Sequence, residues 1–155
     1  MLRLGVFFSG LLLATVALAA TWPYDEKADS PGEVRLALQR AKSEHKNVLL
    51  IFGANWCEDC RELDKALHRS KSDLIDSHFV VVKINVGQFD RNLDLDQRYG
   101  DPIKKGIPAA VVLTPSDRVL YVTRAGELAN ARSMSDASIF DFFSKVISGL
   151  RPEGG

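Results

Sequence analysis

Two cysteines three positions apart, set just after a run of five apolar residues, constrain this chain more than any other feature. Val48-Leu49-Leu50-Ile51-Phe52 is long enough for a strand and too short for a helix, and Gly53-Ala54-Asn55-Trp56 turns the chain into Cys57-Glu58-Asp59-Cys60. The run does not alternate, so the strand is expected to be buried on both faces, as a central parallel strand is. A helical segment follows from Cys57 to about His68, with Cys60, Leu63, Asp64 and Leu67 on one face. Cys57 then stands at a helix N-terminus, where unpaired backbone N–H groups and the helix dipole stabilise a thiolate. Cys60, one turn on, lies on the same side and can attack a mixed disulfide formed at Cys57. A bridge across so short a loop removes little chain entropy, so the pair suits chemistry better than stapling.

Other uses of two cysteines fit less well. Zinc would need two of His45, His68 and His78, and these lack the spacing of a zinc-finger pair. A c-type haem needs a histidine after the second cysteine, and Arg61 stands there. Copper handling is disfavoured because, of the two methionines, Met1 is expected to leave with the N-terminal segment and Met134 is distant from Cys57 in sequence. No metal and no organic cofactor is therefore expected. A merely structural disulfide remains as a second reading. The 20 basic and 20 acidic residues balance, which argues against a nucleic-acid partner or a membrane surface found by charge.

The chain begins with Arg3, an apolar run from Leu4 to Leu18, and Ala17-Leu18-Ala19. That is the layout of a cleavable signal peptide, residues 1–19, with Ala20 as a second cleavage choice and an uncleaved anchor as the alternative. The expected destination is the periplasm, and the processed chain carries one excess acid. Residues 20–31 form a polar lead-in carrying Trp22, Pro23 and Tyr24. Its last residues open a helix, with Ser30 as N-cap, Pro31 in the first turn and Glu33 closing a capping box.

Val34, Ala37, Leu38 and Ala41 make that helix's apolar stripe. Ser72–Ser77 reads as a short helix, Phe79–Val86 as a second strand, and Gln88–Tyr99 as a loop entering a short helix. Ala109–Leu113 and Val119–Thr123 are strands joined by a hairpin connection over Thr114–Arg118. A final helix from about Ser135 carries Ile139, Phe142, Phe143, Val146, Ile147 and Leu150 on one stripe, with Phe142 and Phe143 in the core. Residues 32–150 therefore make one α/β domain, a mixed central sheet covered by helices, followed by a frayed tail over 151–155.

Strand, Trp-Cys-x-x-Cys and helix in that order resemble the active-site signature of the thioredoxin superfamily, and the resemblance runs from roughly Val34 to Leu150. Lys83-Ile84-Asn85-Val86 resembles the family's third strand. Tyr99-Gly100 followed by Gly106-Ile107-Pro108 is similar to the approach to its cis-proline loop, and Arg124-Ala125-Gly126-Glu127 to the end of its last hairpin. The resemblance implies a thioredoxin-like fold, Cys57 as the attacking cysteine, Cys60 as the resolving one, and a cis Ile107–Pro108 bond facing them. It also implies protein thiols and disulfides as partners, docked along the cis-proline loop by strand addition.

Departures from the family pattern carry information. Many thioredoxins have a buried aspartate six residues before the first cysteine, and Ile51 stands there. Proton transfer must then use water, another carboxylate or Lys83, which is read equally well as a surface lysine with a packed stem. Glu58 and Asp59 replace the family's Gly-Pro; they either disfavour the Cys57 thiolate or point into water and are screened. Trp56 is read both as packing against the site and as a docking surface. Asp101–Lys105 lengthens the approach to Gly106, either as a partner-specific rim or as a neutral insertion. The expectation is an exported, monomeric thiol–disulfide oxidoreductase, a reductase or isomerase served by a membrane-linked electron donor. The alternative is a thioredoxin-fold binding or chaperone module with a passive disulfide.

Overall fold

The computed structural model describes residues 22–69 and 72–150. The expected signal segment 1–19 and the expected tail 151–155 lie outside the described residues. Helix α1 runs Ser30–Glu44, and its cap is Asp29, whose carboxylate accepts the Gly32 N–H at 3.1 Å. The sequence places that cap at Ser30; the structure places Ser30 and Pro31 inside the first turn. A carboxylate facing the free N–H groups satisfies both the orphan donors and the positive helix end. His45, in a left-handed conformation, closes the other end by returning its N–H to the Ala41 carbonyl.

Strand β1 (Asn47–Gly53) pairs in parallel with β2 (Phe79–Asn85) and antiparallel with β3 (Ala109–Leu113). Strand β4 (Val119–Val122) pairs antiparallel with β3, so the order is β2-β1-β3-β4 and the sheet is mixed, as its sequence implies. Every residue of Val48–Phe52 is buried. Val48, Leu50 and Phe52 pack toward α1 and toward Leu95 of α4 (Leu93–Arg98). Leu49 and Ile51 pack with α2 (Glu58–Arg69), α3 (Ser72–His78) and α5 (Asp136–Gly149). Burial on both faces is why the run does not alternate.

Several boundaries differ from the sequence expectation by a residue or two. Helix α2 starts at Glu58, leaving Cys57 as the residue at its mouth, and β2 and β4 each stop one residue early. Helix α5 is capped by Ser135, whose hydroxyl accepts the Ser138 N–H at 3.1 Å. Its buried face is Ile139, Phe140, Phe143 and Val146. Phe142, expected in the core, is half-buried and stacks edge-on with Tyr121 and Phe143. The roll of the helix is set by its packing partners, and this one turns Phe140 inward.

Candidate active site

Strand β1 delivers the chain to the site, and the turn after it is held by backbone bonds. The Cys57 N–H donates to the Ala54 carbonyl at 3.2 Å, and the Cys57 carbonyl accepts the Arg61 N–H at 3.2 Å as the first bond of α2. Cys57 and Cys60 form a disulfide with Cα atoms 5.2 Å apart, and the Cys60 N–H donates to Cys57 Sγ at 3.1 Å. This donor bond and the helix mouth both favour negative charge on Cys57 once the disulfide opens. Cys57 is 5% exposed and Cys60 0%, so of the two sulfur-bearing residues Cys57 is the one a partner reaches.

The opposite wall is the loop before β3. The Ile107–Pro108 peptide is cis, and the Ile107 carbonyl oxygen lies 3.7 Å from Cys57 Sγ. Gly106 precedes it at φ 112°, a conformation open to glycine and costly for other residues. Asp101–Lys105 is a built part of this wall: Pro102–Lys105 is a 3-10 turn with Pro102 and Ile103 buried. Asp96 anchors it, its carboxylate accepting the Ile103 N–H at 3.1 Å and its carbonyl the Asp101 N–H at 2.9 Å. Burial pushes the Asp96 carboxyl above its ordinary range; the Ile103 bond pulls it back in part, and Asp101 adds to the rise.

Trp56 is 49% exposed, with its indole N–H donating to the Gly87 carbonyl at 2.8 Å and its ring edge-on to Phe89. Glu58 and Asp59 do not both point into water. Arg132, from the 3-10 turn Ala131–Ser133, gives its backbone N–H to Asp59 at 3.0 Å and its guanidinium to Glu58 at 3.0 Å. A cation therefore stands against the two carboxylates between the cysteines, and no spacing in the sequence announces it.

Lys83 faces the same side of the sheet as its register partner Ile51 and pairs with the Asp64 carboxylate. Ile51 brings no acid to the sheet. Tyr24, from the lead-in, is buried among the residues around Cys57 and Cys60. Asn55 clamps it: the Tyr24 N–H donates to the Asn55 side-chain oxygen at 3.0 Å, and the Asn55 amide returns a bond to the Tyr24 carbonyl at 2.8 Å. Sequence reasoning leaves Tyr24 unassigned; an aromatic residue in a polar lead-in is the one signal it offers. Burial pushes its phenol far above the ordinary range, with Asp64 adding to the rise. His68 and His78 bond to backbone carbonyls of their own helices, and among the described residues no three His, Cys, Asp or Glu side chains gather as a metal site would.

A family model described as thioredoxin-like matches residues 32–115. The chain belongs to the thioredoxin-like family. A crystal structure of the disulphide isomerase from Xylella fastidiosa Temecula1 is 58% identical to this thioredoxin-like chain, with a TM-score of 0.81 over 83% of this chain and 99% of that one. A thioredoxin from Thermus thermophilus shares the fold at 22% identity and TM-score 0.53, over 72% of this chain and 82% of its own. So does a DsbH oxidoreductase, at 22% identity and TM-score 0.51, over 88% and 94%. No curated protein matches the chain. Family and fold agree with the resemblance read from the motifs, and the thioredoxin-like chain carries the Cys57–Cys60 pair of a thioredoxin-fold disulfide oxidoreductase.

Proposed function

We propose that this protein is an exported thiol–disulfide oxidoreductase that reduces or isomerises protein disulfides rather than imposing them as a strong oxidant. The observation that carries the reading is the Cys57–Cys60 disulfide at the mouth of α2, with Cys57 against the Ile107 carbonyl and Cys60 fully buried behind it. Reduced Cys57, as thiolate, attacks a substrate disulfide and forms a mixed disulfide. Cys60 then attacks Cys57 Sγ, the internal disulfide forms, and the substrate leaves with both its sulfurs reduced. An extended substrate segment lies along the cis-proline loop, with Trp56 and Phe89 as an apolar rim. No cofactor takes part; the electrons come to the pair from a membrane-linked donor.

The charges around Cys57 support the direction. Glu58 and Asp59 oppose a thiolate, Arg132 offsets them in part, and no cation stands between the cysteines themselves. The reduced form then gains less stabilisation than a strong oxidant's does, and the pair is more reducing. The 58% identical Xylella fastidiosa protein, named a disulphide isomerase, supports the same side. Export rests on the signal-like residues 1–19; among the described residues no helix is long and apolar enough to cross a membrane. Mass analysis of the protein recovered from a bacterial periplasm checks cleavage after Ala19.

The deciding experiment equilibrates the purified protein with glutathione mixtures and follows thiol alkylation. A reduction potential of about −270 to −230 mV is expected, and a value near about −120 mV would overturn the reductase or isomerase reading.

A further inference from the structure

We propose that the Tyr24 hydroxyl is the hydrogen-bond donor that steadies the Cys60 thiolate during release of the substrate. The inference rests on the oxidoreductase reading above and assigns the step that reading leaves without a helper. Cys60 has no exposure to water, and Ile51 offers no carboxylate from the sheet. What the structure sets beside Cys60 is a phenol. A side-chain carbon on Gly53 would collide with the Tyr24 hydroxyl and stand 2.9 Å from Cys60 Sγ. Oxygen and sulfur thus share the space that the missing side chain leaves, and only glycine at position 53 keeps it open.

The lead-in is built to hold Tyr24 there. Asn55, two residues before Cys57, bonds both backbone polar groups of Tyr24, and its second amide hydrogen reaches Glu26 at 3.2 Å. Arg61 ties the Asn55 carbonyl at 2.7 Å, and Arg91 ties the Glu26 carbonyl at 2.8 Å. The active-site turn and the lead-in therefore form one unit. Asp64 of α2 adds to the rise in the Tyr24 phenol; it is itself paired with Lys83 of β2 and lies 3.5 Å from His68. Strand β1 contributes Ile51 and Gly53, which do not titrate.

During release, the Cys60 S–H proton passes to solvent. Cys60 Sγ forms its bond to Cys57 Sγ, the bond from Cys57 to the substrate sulfur breaks, and that sulfur leaves as a thiolate that water protonates. Tyr24 remains neutral throughout, because burial keeps its proton, and donates to the sulfur as charge develops.

The two steps separate with 5,5′-dithiobis(2-nitrobenzoate) as substrate. The first thionitrobenzoate released reports attack by Cys57, and the second reports resolution by Cys60. Tyr24→Phe keeps the ring and removes the donor. It is expected to leave the first phase and its pH dependence unchanged, to slow the second about tenfold or more, and to move the second phase's rising pH limb upward. An unmoved limb and an unchanged second phase in a folded Tyr24→Phe protein overturn the proposal. If that variant does not fold, 3-fluorotyrosine at position 24 decides. Its more acidic phenol donates more strongly, so the limb moves to lower pH, and a limb that stays overturns the proposal. A wild-type protein with no second phase sinks the oxidoreductase reading and this one together.

Discussion

Arg132 changes what the two acids between the cysteines mean. From the sequence alone Glu58 and Asp59 either push against the Cys57 thiolate or face water; in the fold their carboxylates share one guanidinium and one backbone N–H. Arg132→Gln removes the guanidinium and keeps the backbone N–H on Asp59, so the acids lose their cation and alkylation of reduced Cys57 by iodoacetamide at pH 7 is expected to slow about two- to fivefold. A rate equal to wild type would show that solvent screens the acids without help from Arg132. The cysteines themselves part company under substitution. Cys60→Ser is expected to accumulate a stable mixed disulfide between Cys57 and a substrate protein, visible on a non-reducing gel, whereas Cys57→Ser forms none. If Cys57→Ser traps substrate equally well, the assignment of the attacking sulfur by exposure is wrong.

Among the elements, the 3-10 turn Pro102–Lys105 matters most to the site, because it holds the loop that ends at Ile107. Its anchor is Asp96, whose carboxyl burial holds above the ordinary range. An acid that titrates higher when folded binds its proton more tightly in the native state, so stability falls as pH rises from the ordinary carboxylate value through the folded one. Asp96→Asn keeps the acceptor for the Ile103 N–H and removes the charge. Urea unfolding is expected to find the variant more stable than wild type at pH 7, with the gap closing below the ordinary carboxylate range. A gap that stays constant with pH would assign the effect to packing instead. At the other end of the chain, Ser135→Ala removes the α5 cap and is expected to cost about 1 kcal/mol in the same measurement. Helix α5 was legible as an element because its apolar spacing is regular. Its exact roll was not, since Phe140 and Phe142 differ in burial only through what α5 packs against.

At the scale of the whole molecule, two apolar layers enclose a four-stranded sheet, and the disulfide adds little to that frame. Its loop is so short that reduction is expected to lower the unfolding free energy by no more than about 2 kcal/mol. Urea unfolding with and without dithiothreitol checks this, and a much larger loss would make the bridge a structural staple. The buried central strand, the cysteine pair at a helix mouth, the mixed sheet and the family resemblance were legible before folding, because each is written in neighbouring residues or in one regular period. Tertiary structure alone decided that Asn55 clamps Tyr24 across 31 residues and that Arg132 reaches Asp59 across 73. It also decided that the Tyr24 hydroxyl and Cys60 Sγ both lie within 3 Å of where a side chain on Gly53 would begin. The physical reason is that no local propensity records a contact made by segments far apart in the chain. Such contacts exist only after the strands and helices have packed, and packing chooses which side chains face the sulfur.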